Sequence, residues 1–504
     1  MIRIPRYAVL RAGSGAASGA GLGAALAVAA LLAGCASTLS VPSSVPVLPL
    51  AVAWQAPLPH GGATAELARW WSRFDDPVLT DLQQAAQQAS PSLAAARARI
   101  QRARATVSSA DAAGLPRLDA VASASRSRQI PNQPNASNTA VGLQAGWELD
   151  LFGAVAAGQG AAKARLAAAQ AGWHDARVAV AAEVAGNYTA LRACEAQLVQ
   201  SRLDVNSRSE TARLTEQSAQ AGFTAPADAA LVRAGVAQTR SQMLVTQAQC
   251  DTLVKGLVEI TDLTEPELRQ RLAPNTARLP TPPALAVAPL PAALLAQRPD
   301  LAEAARAVVA AAGDQAQSQA RERPQVSLSG TLAGVRLSGG GVPASQGVTW
   351  SVGPLAVSFP LFDGGARAAN TAAAGADYDN AVAQYQALAR RAVREVESAL
   401  VTLDTTAQRE VDALDAARGF EAALVATQAR QRGGLASLLD LEVSRRNALQ
   451  AQSALIELQR ERTAAWIALY RALGGGWDPA SPTDATATAA TPAVAALAAA
   501  PVRP

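Results

Sequence analysis

The same series of landmarks occurs twice in this chain, about 210 residues apart. A chain repeated in this way is constrained toward an assembled, elongated object rather than one globular core. The first series runs AAGLPRL (112–118), a β-like stretch, WELDLFGAVAAG (147–158) and a long helical pattern broken at QAGFTAPAD (220–228). The second runs RERPQVSL (321–328), a β-like stretch, VSFPLFDGGARAA (357–369) and a helical pattern broken at RGGLASLLD (432–440). Pro116 to Pro324 is 208 positions, Phe152 to Phe362 is 210 and Gly222 to Gly434 is 212. Each copy reads as a β-hairpin leading into a helical hairpin, and neither closes a structure alone.

Hydrophobic residues make up 50% of the 504 positions but aromatics only 4%, so much of the apolar content is alanine. Alanine is the best helix former and lets helices approach closely, but it fills a thick core poorly. Helical patterns are predicted at 66–113, 154–272 (broken near 223), 285–322 and 364–474 (broken near 434). Val382, Tyr385, Ala389, Ala392, Val396, Ala399 and Leu403 step by three and four, a heptad seam. Past Leu403 the apolar positions drift through Ala407, Val411 and Leu414, a local change that relaxes a supercoil. A helix over 364–432 would span roughly 100 Å at about 1.5 Å per residue.

Four strands are predicted at about 117–128, 140–150, 325–336 and 347–359. Val141, Leu143, Ala145, Trp147 and Leu149 alternate with polar or glycine positions; Val326, Leu328 and Leu332 share one face, as do Val348, Trp350 and Val352. Strands of about ten residues with one apolar face suit an outer-membrane barrel and equally a half-buried soluble sheet. Four strands cannot close a barrel, and open edges are not tolerated in lipid. The membrane reading therefore requires several chains to share one barrel.

Residues 1–34 read as a lipoprotein signal peptide: Arg3, Arg6 and Arg11 precede a short apolar run, and Leu32-Ala33-Gly34-Cys35 fits a lipobox, with Cys35 the lipidated residue. Ala36, in place of an aspartate, suits outer-membrane sorting. Removal of 1–34 takes the formal charge from +4 to +1, and no basic cluster interleaves with aromatics, so no nucleic-acid footprint is present. Residues 35–65 read as an extended periplasmic segment and 478–504 as a disordered Ala/Pro/Thr-rich tail. Cys194 and Cys250 lie 28 residues either side of Gly222, at matched depth on an expected helical hairpin. An oxidising compartment favours a disulfide between them; two small core residues is the alternative. His60 and His174 form no metal motif, and no Walker loop, HExxH or nucleophile elbow occurs. The chain is not expected to be an enzyme or to hold a metal or cofactor beyond the lipid on Cys35.

The stretches RWWSRFDDPVLTDL (69–82), LPRL, WELDLFG, QRPDLAEAARAV (297–308), RERPQVSLSG (321–330), FPLFDGGAR (359–367) and LYRALGGGW (469–477) together resemble the outer-membrane efflux proteins. These are the TolC-like exit ducts, and the lipobox is similar to their lipoprotein branch serving resistance-nodulation-division pumps. The resemblance covers about 66–477. It implies an α+β membrane protein whose four strands per chain complete a trimeric twelve-stranded barrel, continued by a long α-helical periplasmic barrel. The two repeats would be 66–272, with β-hairpin 117–150, and 273–477, with β-hairpin 325–359. The implied partners are two further copies of the chain, a periplasmic membrane-fusion adaptor, an inner-membrane pump and outer-membrane lipid. The implied function is passive export of small molecules.

The helical breaks should then form the periplasmic tip, with Gly222 and Gly434 in the turns. Carried over by position, Asp228 and Arg446 match a salt link that holds the tip closed, and Leu439 matches an apolar ring at the constriction. Gln431 stands where the family has a tyrosine and Val443 where it has an aperture aspartate, so Asp440 or Glu442 would have to supply an acidic ring. Solvated turn residues are the plainer reading. A protein-secretion duct, a non-conducting coiled-coil scaffold lipoprotein and a periplasmic hydrolase are the competing functions; the first lacks the pump-linked features, the second leaves the hairpins unexplained and the third lacks a catalytic set.

Overall fold

The computed structural model describes residues 70–128, 135–282, 297–339 and 342–477. The expected signal peptide, Cys35, the segment 35–65 and the tail 478–504 lie outside the described residues. The chain divides into two compact units. The described residues of the first fall within Val107–Ala162 and Ala311–Tyr378, and those of the second within Ser44–Thr106, Lys163–Ala310 and Asp379–Pro504.

The helices are α1 Pro77–Ala89, α2 Pro91–Ala112, α3 Ala154–Gln220, α4 Pro226–Thr261, α5 Glu265–Leu272, α6 Pro299–Ala320, α7 Ala366–Arg432 and α8 Leu438–Ala472. The strands are β1 Arg117–Ser127, β2 Ala136–Leu149, β3 Gln325–Gly339 and β4 Val342–Ser358. Among the described residues no helix is long and apolar enough to cross a membrane. The helical run expected over 66–113 breaks at Ser90, whose backbone is pushed out of the helical region by Pro91 and whose hydroxyl accepts from the Leu93 amide. The run expected to 272 breaks at Asp262 (φ 55°), and of the run expected over 285–322 the described part is helical over Pro299–Ala320, while 285–296 lie outside the described residues.

The first unit is built on one antiparallel sheet in the order β1-β2-β3-β4. Register decides its chemistry, because directly paired residues face the same way. Ala120, Leu143, Leu332 and Trp350 form one cross-strand row, and the next row is Asp119, Gln144, Thr331 and Ser351. One face is thus mainly apolar, and the other is mostly polar, glycine and alanine, with Val121, Val335 and Leu337 as its larger apolar members. A bulge in the β3–β4 ladder keeps it so: Val348, Trp350 and Val352 share a face before Gly353-Pro354, and Leu355 and Val357 share it after, opposite Leu328 and Val326. Without the extra residue, Leu355 and Val357 would flip to the polar side. The hairpins run further than sequence alternation indicates, β2 beginning at Ala136 and β4 at Val342, because ladder hydrogen bonds continue through small and polar residues.

All four helix connections leave the sheet at the same end, near Arg117, Leu149, Gln325 and Ser358. After β2, the Asp150 carboxylate accepts from the Val155 and Ala156 amides and starts α3, with Gly153 at φ 78°. After β4, Asp363 does the same for α7 through the Gly365 and Arg367 amides.

In the second unit the core gathers Trp70, Leu79, Leu82, Tyr188, Leu191, Leu257, Leu400, Trp466 and Leu469. Trp70 stacks on Tyr470 at 5.0 Å between ring centroids. Ala389, Ala392, Val396, Ala399 and Leu403 are buried along α7. Beyond Leu403 the expected drift does not occur: Ala407 and Val411 are exposed, and the seam continues with its three-four spacing through Thr406, Glu410, Ala413 and Ala417. Polar residues hold two of those positions, which hides the spacing from an apolar count. Thr406 satisfies its hydroxyl on the Thr402 carbonyl.

Two acids of this unit run against the usual trend. Burial, then the charges of Asp300 and Glu395, raises the Asp175 carboxyl above the ordinary carboxylate range. Burial, then Asp175 and Asp300, raises Glu303 likewise. A raised folded-state pKa contributes stability that is complete below the unfolded carboxylate range and is lost as pH rises through the folded values. Asp175→Asn and Glu303→Gln should therefore raise the melting temperature at neutral pH, with the gain vanishing as pH falls to about 4. Equal melting curves at neutral pH would contradict this.

Candidate functional site at the helical turns

The turns joining α3 to α4 and α7 to α8 are built alike. Gly222 lies at φ 79° and Gly434 at φ 71°. The Phe223 amide donates to the Ser218 carbonyl at 2.9 Å and the Leu435 amide to the Arg430 carbonyl at 2.8 Å. This six-to-one bond, with glycine in the left-handed region, ends each helix, and a side chain at either glycine would be strained. Pro226 opens α4 with Asp228 in its first turn, placing an acid where the helix dipole is positive. Ser437 caps α8 in a reciprocal box with Asp440, whose carboxylate accepts from the Ser437 amide and hydroxyl. Those bonds hold the Asp440 carboxyl below its usual range.

The two turns face a common cavity of about 460 Å³, lined on α4 by Asp228, Leu231 and Val232 and on α8 by Leu439, Glu442 and Arg446. Phe223 is 87% exposed and Leu439 68% exposed. Among the described residues no ion pair joins Asp228 to Arg446 within one chain, although both line the cavity. Glu442 is committed elsewhere. It pairs with Arg208 on α3 and, at 2.5 Å, with Arg445 on α8. Two guanidinium groups thus offset the Glu442 charge within one chain. Asp440 remains exposed and ionised but is spent on the cap.

Apart from Glu442, the groups that bind α3 to α8 are ones that sequence reasoning passed over. Arg208 donates to Asp204 at 2.9 Å as well as to Glu442. Arg445 is 5% exposed and also donates to the Ser207 and Thr211 hydroxyls, at 2.8 and 3.2 Å. Burial, with Arg208 adding repulsion, lowers the Arg445 pKa, but a guanidinium stays charged at any physiological pH. Two arginines and two acids thus form a neutral clamp. One signal was available: Leu441, Arg445, Ala448 and Leu455 have seam spacing, and a charge on a buried seam requires a partner.

Farther along the same helices Cys194 on α3 and Cys250 on α4 form a disulfide, with Cα atoms 5.6 Å apart. Arg298, ahead of α6, is buried. It donates to the Ala472 carbonyl at 2.9 Å, forks onto Asp300 at 2.7 and 3.0 Å and reaches Glu395 on α7 at 3.0 Å. Gly474 (φ 80°) lies so close that a Cβ there would stand 2.3 Å from the Gln297 carbonyl oxygen. The QRPD and LGGGW stretches therefore meet in space. Among the described residues no group of His, Cys, Asp or Glu could hold a metal ion.

The profile of the outer membrane efflux protein family matches residues 82–261 and 290–475, more than half of the chain. The chain belongs to the outer membrane efflux protein family. Outer membrane protein OprJ of Pseudomonas aeruginosa is 30% identical over 454 residues, covering 86% of this chain and 91% of that protein. The solvent efflux pump outer membrane protein SrpC of Pseudomonas putida is 27% identical over 466 residues, 89% of this chain and 96% of SrpC. Among solved structures, the outer-membrane channel OprN superposes with a TM-score of 0.77 at 28% identity, over 88% of this chain and all of OprN. The Neisseria gonorrhoeae MtrE channel in its open state shares the fold, with a TM-score of 0.74 at 23% identity. A TolC-like channel fold, an outer-membrane location and a part in efflux follow for this chain.

Proposed function

We propose that three copies of this chain form the exit duct of a tripartite efflux pump. The carrying observation is a four-stranded sheet with one mainly apolar face and, among the described residues, two unpaired edges. Such a sheet is viable in a membrane only if β4 of one copy pairs with β1 of the next, and three copies then close twelve strands. α3 and α7, each of 67 residues and roughly 100 Å, would form the periplasmic conduit. The repeats 66–272 and 273–477 would each supply one hairpin and one helical pair. A periplasmic adaptor and an inner-membrane pump complete the assembly, supported by relatives named as pump components. Relatives named for solvent, toluene and pyoverdine export support the reading of a duct that passes what its pump delivers. Lipidation at Cys35 would anchor each copy. Mass determination and electron microscopy of detergent-extracted protein test the reading: a hollow three-fold cylinder supports it, and a monomer or solid rod overturns it.

The turn region would be the gate, with Leu439 narrowing it and Asp228 and Arg446 free to pair between neighbouring copies. The clamp of Arg208, Glu442 and Arg445 would keep α8 against α3 when the gate is shut. Glu442→Gln leaves two arginines facing each other and should weaken the clamp by about 2 kcal/mol. Raised resting conductance in planar bilayers is the expected result; conductance equal to the unaltered duct would remove the clamp from gating.

A further inference from the structure

The mainly apolar face of the sheet changes character at the end away from the helices. From the row of Leu149, Val326 and Val357 to the row of Ala122, Val141, Gly334 and Val348, this face carries no charge. The next row on it is Ala124, Thr139, Arg336 and Gln346, and the row after that sets Arg126 beside Ser137. Arg128 follows one residue beyond β1. All three arginines are exposed. The hairpins hold no acid to neutralise them: no Asp or Glu occurs between Asp119 and Glu148, or between Glu322 and Asp363. Asp119 itself lies on the opposite face, paired with Arg117 at the helix end of the sheet.

Depth follows from the register. Leu149 to Thr139 is ten residues along β2, which at about 3.3 Å per residue and a tilt of about 40° projects to roughly 25 Å. An outer-membrane barrel has an apolar band of about that height. Arg336, the partner of Thr139, therefore stands at the far edge of the hydrocarbon, and Arg126 about 5 Å beyond it. With the helices in the periplasm, that edge belongs to the outer leaflet. A guanidinium on a lipid-facing surface is costly at the bilayer centre and nearly free at the interface, where its planar fork matches phosphate oxygens.

Spacing narrows the ligand. β1 and β3 are two strand spacings apart, and Arg126 lies two residues beyond Arg336, so their Cα atoms are separated by roughly 12 Å. Two cations so placed suit a headgroup bearing two phosphates. Ser137, Thr139 and the exposed Gln346 surround them with hydroxyl and amide groups that suit a sugar. A phosphorylated disaccharide has this chemistry, and the lipid A of a bacterial outer leaflet is one.

We infer that Arg126 and Arg336, with Arg128 adjoining, form a binding site for the bisphosphorylated disaccharide of lipid A on the membrane-facing side of the sheet. It rests on the reading of the sheet as membrane-spanning. Each guanidinium takes one phosphate and stands in for the divalent cations that otherwise bridge neighbouring lipid phosphates. The barrel wall is thereby joined to the outer leaflet by charge as well as by its apolar band.

The test uses full-length protein extracted in mild detergent, with bound lipid counted by native mass spectrometry as lipid A is added. Arg126→Gln with Arg336→Gln should weaken binding by about tenfold or more, and monophosphorylated lipid A should bind the unaltered protein more weakly than the bisphosphorylated form. Arg126→Lys with Arg336→Lys should recover part of the loss, because the charge remains and the fork does not. Equal binding by the unaltered and glutamine proteins overturns the site. Phosphatidylglycerol displacing lipid A at equal concentration overturns the assignment to a two-phosphate sugar and leaves a general anionic surface. A spin label at Trp350→Cys in vesicles, with the labelled unaltered protein as background, reads the sheet separately. If that label is protected from a water-soluble nickel complex while lipid A binding is indifferent to the arginines, the site falls and the duct reading stands. If the label lies in water, the membrane reading of the sheet falls and the site with it.

Discussion

Replacing Arg298 with methionine should destabilise the protein by about 3–5 kcal/mol, the cost of breaking a buried ion network from one side. Arg298 is 6% exposed and holds three segments at once: its own helix through Asp300, α7 through Glu395 and the end of α8 through the Ala472 carbonyl. Burial by itself would lower its pKa, but the hydrogen bonds and charges of Asp300 and Glu395 outweigh this and hold the guanidinium above its usual range. With methionine in place, Asp300 and Glu395 keep their charges near Asp175 and lose the cation that offset them. Arg298→Lys should recover only part of the loss, because an ammonium cannot fork onto a carboxylate and reach a carbonyl together. Urea unfolding in detergent, followed by far-ultraviolet circular dichroism, measures both. A methionine variant within about 1 kcal/mol of the parent would show that the network is not what holds these segments.

Removing the Cys194–Cys250 bridge should produce the second large effect. The bond closes a loop of sequence separation 56, and restricting the unfolded chain by such a loop is worth about 4 kcal/mol in the chain-entropy account. Both cysteines are buried on facing helices, so paired serines add the cost of burying two hydroxyls. The unaltered protein should lose stability on treatment with dithiothreitol, and the Cys194→Ser, Cys250→Ser protein should be less stable and indifferent to reductant. Equal unfolding midpoints with and without reductant would rule out a stabilising bridge. The bridge ties α3 to α4, whereas the noncovalent clamp at Glu442 ties α8 to α3, so reductant and Glu442→Gln should act additively.

How much of this was legible in the sequence differs from element to element. Strand existence was readable because a pleated strand writes its two faces as alternation, and Val141 to Leu149 alternate without a break. The family was readable because WELDLFG, QRPDL and LGGGW are contiguous. The turns at Gly222 and Gly434 were readable because a left-handed residue favours glycine. Alternation failed at Gly353-Pro354, where an inserted residue re-phases β4; a bulge is a property of the pair of strands, and β4 alone does not contain it. The heptad count failed past Leu403 because Thr406 and Glu410 sit on the seam, and a polar residue on a seam is explained only by its partner.

The candidate site shows the same division. Spacing from the turn glycines singled out Asp228 and Asp440, and the family resemblance brought in Leu439, Glu442 and Arg446. Which charges meet depended on helix phase and on the approach of α8 to α3, so that Arg445 and not Arg446 turns inward to Glu442, and Arg208 reaches Glu442 across 234 positions of sequence. Local periodicity, turn chemistry and family motifs are short-range and were fixed by the order of residues. Buried charge pairing, seam continuity and strand register depend on distances between segments far apart in the chain, and only the folded structure sets those distances.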